Sequence, residues 1–311
     1  MDGSLEGSRS ARLISVDAPI FAPNDTDPLY LTLTNPYASS PNEFEREALQ
    51  VMSSRTPTRI MLSVWKALLL REATFRLFGS RGAWFWLIAE PLAHFAFLTF
   101  LFAVIRHNSV GGINVSIWLI LGLFGYFTFR RTAAQMGGAI DSNRALFTYR
   151  QVLPFDTILV RGFLEGLIML VALIMVIFGM SLLGIPVTPE HPVKIIMALF
   201  GLWLMGAALG LIVTMLAEIA GEIRQLLNMM MMPLYFVSGV LLPISAVPPQ
   251  QQSYFLINPL IHGLESARSG FSSFYHTSPD ISLAYLYLWA LCGLGIGMLL
   301  YRRFAKTISA I

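Results

Sequence analysis

The chain has 311 residues, 55% of them hydrophobic and 13% charged, with a mean hydropathy of +0.64; this excludes a soluble globule and reads as a polytopic membrane protein. The net charge of +3 hides a split, because residues 1–55 hold eight acids and four bases while the remainder holds ten acids and seventeen bases. A basic membrane part suits an anionic lipid surface or an anionic substrate, and equally the Lys and Arg that set topology.

Residues 1–57 read as a flexible acidic extension, with Pro19, Pro23, Pro28, Pro36 and Pro41 interrupting a stretch rich in Asp, Asn, Ser and Thr. No apolar core of a signal peptide appears there, so the N-terminus is expected in the cytoplasm. Residues 43–53 could add a helical turn or two. Over 58–82 the pattern predicts an amphipathic interfacial helix, with Met61, Val64, Trp65 and Leu68 on one face and Arg59, Ser63 and Lys66 on the other. Lys66, Arg71, Arg76 and Arg81 are expected to face lipid headgroups, and Trp65, Trp84 and Trp86 to settle at the interface. Gly79 and Gly82 let the chain turn into the bilayer.

Hydropathy then predicts an all-α membrane domain over 83–311 with six spans, near 84–105, 113–136, 158–183, 193–217, 225–242 and 281–301. Cytoplasmic segments are expected to hold Arg55 to Arg81, Arg130, Arg131, Arg144, Arg150, Arg224, Arg302, Arg303 and Lys306. The outer loops hold Arg106, Lys194 and Arg268, which sets both termini inside.

In the first span Glu90 and His94 share a helical face around a kinking Pro91. An ionisable group there costs on the order of 3 kcal/mol and must face protein, water or substrate. Between the second and third spans, IDSNRALFTYRQVLPFDTI at 140–158 is polar and helix-capable, a coupling loop over 140–157 that Asp141 or Ser142 can cap and Pro154 ends. Its Arg144, Leu146, Phe147, Tyr149 and Arg150 offer charge and bulk to a docking partner, or form a solvated connector. Arg161 and Glu165 read as an ordinary ion pair near the interface. Glu218, Glu222 and Arg224 cluster before the fifth span, facing a partner or the interfacial helix.

The run from Asn228 through four methionines to Pro233 reads as a moving gate or as plain packing. Tyr126, Phe127, Phe129, Tyr235 and Phe236 could line a sugar-conducting path, or face lipid. In the loop at 245–280, pieces 250–257 and 260–270 break at Asn258-Pro259 and are each too short to cross. They are expected to form a re-entrant pair, or two interfacial helices.

The sequence lacks GxxxxGK[ST], HExxH and GxSxG motifs and any metal-spaced His/Cys cluster; Cys292 is its lone cysteine. No catalytic site, metal or nucleotide of its own is expected, and any ATP dependence must come from a partner.

The layout resembles the ABC export permeases of the capsule and O-antigen branch. EPLAHF at 90–95, LFTYRQVLPFDTILVRGFLE at 146–165, and PLYFVSGVLLPISAVP through NPLIHGLE between 233 and 265 are similar to the KpsM-type capsule polysaccharide permeases. The likeness covers 58–305, although the first 55 residues are longer than that family suggests. It implies a homodimer carrying two separate KpsT-type ATPases that bind ATP and Mg2+. It further implies a KpsE-type periplasmic copolymerase-like partner, an outer-membrane exporter, and lipid-linked acidic polysaccharide as cargo, with no nucleic acid. The location implied is the inner membrane of a Gram-negative envelope. Docking falls on Ser142, Arg144, Leu146, Phe147, Tyr149, Arg150, Glu218 and Glu222. The substrate path takes Lys66, Arg71, Arg76, Arg81, Glu90, His94, Tyr126, Phe129 and Tyr235, and an outer gate takes Asn258, Pro259, His262, Glu265 and Arg268. An O-antigen or wall-polymer permease, or a small-lipid or drug exporter, shares this layout.

Overall fold

The computed structural model describes residues 57–105, 109–148 and 152–308, so the expectations for the first 56 residues, Arg106, Tyr149 and Arg150 fall outside it. Helix α1 (Pro57–Phe78) leads through a turn, with Gly82 at a φ of 82°, into α2 (Ala83–Ile105), which contains Pro91. A hairpin follows, β1 (Ser109–Val110) antiparallel to β2 (Ile113–Asn114). Gly111 and Gly112 close it, with φ values of 57° and 85°. A tight hairpin turn needs positive φ at both central residues, which glycine adopts at little cost. The described chain is mostly helical as expected, and this hairpin adds to that reading, for two adjacent glycines between β-branched residues are a hairpin signal.

Next come α3 (Val115–Gly137), a 3₁₀ helix (Asp141–Thr148), α4 (Pro154–Leu182), α5 (Pro192–Ala217) and α6 (Ile223–Val237). After a 3₁₀ turn (Ile244–Ala246), α7 (Pro249–Phe255), α8 (Pro259–Phe271) and α9 (Leu283–Ile308) complete the described chain. Asn114 and Asn258 start α3 and α8, each side chain accepting the N–H two residues on.

Helices α3 and α5 form the centre. Trp118, Leu119, Leu123, Phe124, Tyr126 and Phe129 of α3 are buried along its length. A Cβ at Gly206 would stand 2.5 Å from the Phe129 carbonyl oxygen, so α5 touches α3 backbone to backbone there. Helices α8 and α9 cover α5, and α4 flanks α3. A second apolar core of Met136, Ile140, Ile158, Leu211 and Met215 lies at the end carrying the 3₁₀ helix.

Among the described residues, four helices are long and apolar enough to cross a membrane, within Ala83–Phe102, Pro154–Leu182, Pro192–Ala217 and Leu283–Phe304. Two of the six expected spans do not meet that measure. Helix α3 buries Ser116 and Thr132 inside the bundle but leaves Arg130 exposed. Helix α6 has 15 residues, about 22 Å, and stops where Gly239 takes a φ of 75°.

Candidate coupling site and translocation face

The segment after α3 folds back on that helix. Ser142 Oγ donates to the Gly138 carbonyl at 3.0 Å and Asn143 Nδ2 to that of Ala139 at 2.8 Å. The expected capping by Asp141 or Ser142 is therefore not what these side chains do. Asp141 instead receives Arg224 and, at 3.1 Å, Arg144. Arg144 also reaches Glu218 at 3.1 Å, Arg224 lies 3.6 Å from Glu218, and Arg224 Nε donates to the Gly137 carbonyl at 2.9 Å. Four charges thus clamp the 3₁₀ helix to the turn between α5 and α6. Burial works to raise the Asp141 carboxyl, but hydrogen bonds from Arg224 and Arg144 outweigh it and hold the group below the usual carboxylate range. Phe147 and Leu146 are half-buried, and Phe147 packs on the second core. Glu222 is exposed, with no ion pair among the described residues.

Helix α1 reaches the same region from the other side. Trp65 Nε1 donates to Asp156 at 2.8 Å, and Arg71 Nη2 to the Asn143 side-chain oxygen at 2.6 Å. One turn on, Arg76 bridges Glu72 at 3.0 Å and Glu165 at 2.6 Å. Arg161 lies 2.7 Å from Glu72 and donates to the Gly138 carbonyl at 3.1 Å. Arg131 completes the lattice, meeting Glu165 at 2.5 Å and Glu90 at 3.2 Å. Three arginines balance three carboxylates, with Glu72 and Glu165 buried, which is the condition under which buried charge is tolerated.

Several expectations change here. Arg76 faces the protein interior, while Leu62, Leu70, Phe75 and Phe78 form the exposed side of α1. Arg59, Ser63 and Lys66 of the expected polar face are exposed and Leu68 is buried, while Glu72 and Arg76 point to the interior. Arg161 and Glu165 do not pair with each other; they hold α1 and α3 separately. Lys66 and Arg81 are exposed and unpaired among the described residues. Arg130 and Arg131 lie seven and six residues before the end of α3, not in a loop.

One turn earlier along α3, on the side that carries Arg131, His94 is exposed, with its Nε2 3.5 Å from the Tyr235 hydroxyl. Its ring meets Phe127 edge-on, with centroids 5.2 Å apart. Tyr126 donates to the Met231 carbonyl and packs against Tyr235, again at 5.2 Å. Tyr126 and Phe129 are both core residues, each about 1% exposed. Of this set, His94 is the side chain that stands open. Glu90 turns to Arg131 rather than to His94, its side chain still 75% exposed. Met231 is the buried methionine of the run, and Met229, Met230 and Met232 point outward.

At the hairpin end, the expected gate residues His262, Glu265 and Arg268 are buried, while Asn258 and Pro259 are half-buried. The Arg268 guanidinium lies over the Trp118 ring at 3.7 Å. It donates to the carbonyls of Gly239 at 2.7 Å and Val240 at 2.9 Å, and to Glu265 at 3.0 Å. Glu265 also accepts from the Tyr275 hydroxyl at 3.0 Å. His262 Nδ1 accepts the Ser282 N–H at 3.0 Å, which leaves Nε2 to donate to the Leu256 carbonyl at 2.8 Å. Asn258 Nδ2 donates to Ser238 Oγ at 3.0 Å, and Pro259 opens α8. The break at Asn258-Pro259 lies where the sequence suggested. No cluster of metal-ligating side chains occurs among the described residues.

Residues 63–272 match the ABC-2 type transporter family. The chain is 33% identical over 237 residues to the polysialic acid transport protein KpsM of Escherichia coli, covering 76% of this chain and 92% of that one. It is 27% identical over 246 residues to the capsule polysaccharide export inner-membrane protein CtrC of Neisseria meningitidis, covering 78% and 91%. Against the capsule polysaccharide export inner-membrane protein BexB of Haemophilus influenzae the identity is 28% over 249 residues, covering 79% and 92%.

Proposed function

The chain belongs to the ABC-2 type transporter family, and from that premise we propose that it is the membrane subunit of an ATP-driven exporter of lipid-linked anionic capsular polysaccharide across a Gram-negative inner membrane. The observation that carries this reading is the likeness to three capsule or polysialic acid permeases over more than nine-tenths of their length.

Two copies of the chain would assemble with two cytoplasmic ATPases, which bind ATP and Mg2+, and with a periplasmic partner leading to an outer-membrane exporter. We read α3 and α6 as the two further spans, giving six, with α7 and α8 as a re-entrant pair and both termini cytoplasmic. The burial of α3 supports this, since most of its length lies hidden among the other helices. So does the break at Asn258-Pro259, because neither piece could cross alone.

The 3₁₀ helix is the coupling element in this reading. It is clamped to the α5–α6 turn through Asp141, Arg144, Glu218 and Arg224, and to α1 through Arg71 and Asn143. A push on it from a closing ATPase would therefore move the surrounding helix ends as one body. The chain's own residues bind and guide; the ATPases supply the energy.

Deleting the gene in its host and fractionating the acidic polysaccharide tests the proposal. Polymer trapped in the cytoplasm and restored by the wild-type gene is the expected result. Normal surface polymer would overturn it.

A further inference from the structure

Arg130 is the arginine of α3 that the charge lattice leaves over. Its neighbour Arg131 turns to Glu165 and Glu90, whereas Arg130, about 100° further round the helix, is exposed and has no ion pair among the described residues. It stands one turn beyond Tyr126 and Phe127 and so continues the stripe that meets His94 and Tyr235. Its charge is close enough to bear on the His94 ring and the Tyr126 hydroxyl.

Seven residues, about 10 Å of helix, separate it from Gly137 at the end of α3. A cation at that depth costs on the order of 3 kcal/mol unless it meets protein, water or a counter-charge. Arg131, Arg161 and Arg268 each meet a carboxylate within 3 Å. Glu90, the exposed acid of the neighbouring helix, is engaged by Arg131.

Resting on the export reading above, we propose that Arg130 is a specificity residue that takes the anionic groups of the exported glycan as they pass, beside His94 and Tyr235. A guanidinium matches a carboxylate or phosphate with two parallel hydrogen bonds, and a low-dielectric surround strengthens them. The His94 ring and the Tyr235 hydroxyl next to it suit sugar hydroxyls. Glu90 keeps the passage from being purely positive, so each anionic group is held and then released, as transit requires.

The test uses the full chain in nanodiscs of neutral phosphatidylcholine, or of phosphatidylcholine with phosphatidylglycerol. Its probes are a defined acidic oligosaccharide and the same oligosaccharide with its carboxyls reduced to alcohols. Wild type is expected to bind the acidic form about tenfold more tightly, the value of one good charge-assisted pair, in both discs. Arg130→Gln should lose that preference while still binding the reduced form, Arg130→Lys should keep part of it, and Arg303→Gln should keep all of it. Preference that survives in Arg130→Gln, or that wild type lacks, overturns the proposal. Discrimination between the two discs but not between the two sugars assigns the guanidinium to lipid headgroups and also overturns it. So does an Arg130→Gln chain that loses its self-association, which would assign the charge to a carboxylate of the second copy. Binding is read without export, so this experiment and the deletion experiment fail separately.

Discussion

The Glu165 carboxylate meets Arg131 Nε at 2.5 Å, with the glutamate side chain wholly buried. Its second oxygen takes Arg76 at 2.6 Å. One carboxylate on α4 therefore holds α3 and α1 together, and through Arg71 and Asn143 α1 in turn holds the 3₁₀ helix.

Replacing that carboxylate by its neutral isostere leaves two half-buried guanidinium groups short of a counter-charge. Glu165→Gln is expected to lower stability by on the order of 3 kcal/mol. The measurement is thermal unfolding of the detergent-purified chain, with hydrogen exchange reporting lost protection in α1. Arg303→Gln, at an exposed position, serves as the comparison. An unchanged midpoint for Glu165→Gln would show that the lattice is not what fixes α1.

The Asp141 carboxyl is depressed in the folded chain, so the ion pairs it makes with Arg224 and Arg144 add stability at pH above the unfolded carboxylate value of about 4. That contribution disappears only as pH falls through the lower folded value. Amide protection factors in 139–148 should therefore stay level from about pH 8 to 5 and drop in stronger acid. Asp141→Asn should remove the acid step and lower protection at neutral pH. A step near neutrality in the wild-type chain would contradict this assignment.

Arg268 makes three kinds of contact that a lysine cannot reproduce together: the fork to two carbonyls, the bond to Glu265 and the flat stack on Trp118. Arg268→Lys should cost on the order of 3 kcal/mol, because buried acceptors lose their donors. Gly122→Ala probes the same packing, since its Cβ would stand 2.4 Å from Arg268 Nη2. Both variants should unfold at lower temperature, with a changed tryptophan spectrum. Wild-type behaviour in both would mean that the cluster is dispensable for the fold.

Element order was legible because caps and breakers are local. Pro154, Asn258 and Pro259 mark boundaries that the structure keeps. What periodicity could not give was the direction of a face. On α1 the spacing of Leu68, Glu72 and Arg76 defines one stripe that turns inward, while Leu62, Leu70, Phe75 and Phe78 turn out. Nor could spacing identify partners. Arg161 and Glu165, four apart, find acids and bases on other helices, because those helices bury the charges more completely than an intrahelical pair would. Arg144 and Phe147 were legible as special, but their engagement by Glu218 and by the second core needed the fold.

If the 3₁₀ helix transmits force, its attachments matter as much as its outer surface. Arg144 lies 3.1 Å from both Asp141 and Glu218. Arg144→Glu would bring three acids together and leave Arg224 as their only shared base, so the helix should come away from the α5–α6 turn. Phe147→Ala would strip the apolar side that seats it on the second core. Both variants, expressed in the deletion strain, are expected to insert normally and to leave acidic polymer in the cytoplasm, with ATP hydrolysis continuing. The exchanged pair Arg144→Glu with Glu218→Arg restores opposite charges across the same gap and should recover part of the export. Recovery separates an internal clamp from a docking contact, because a partner ATPase that needed the Arg144 guanidinium itself would gain nothing from the exchange. Full export by Arg144→Glu and Phe147→Ala alike would remove the coupling role from this helix.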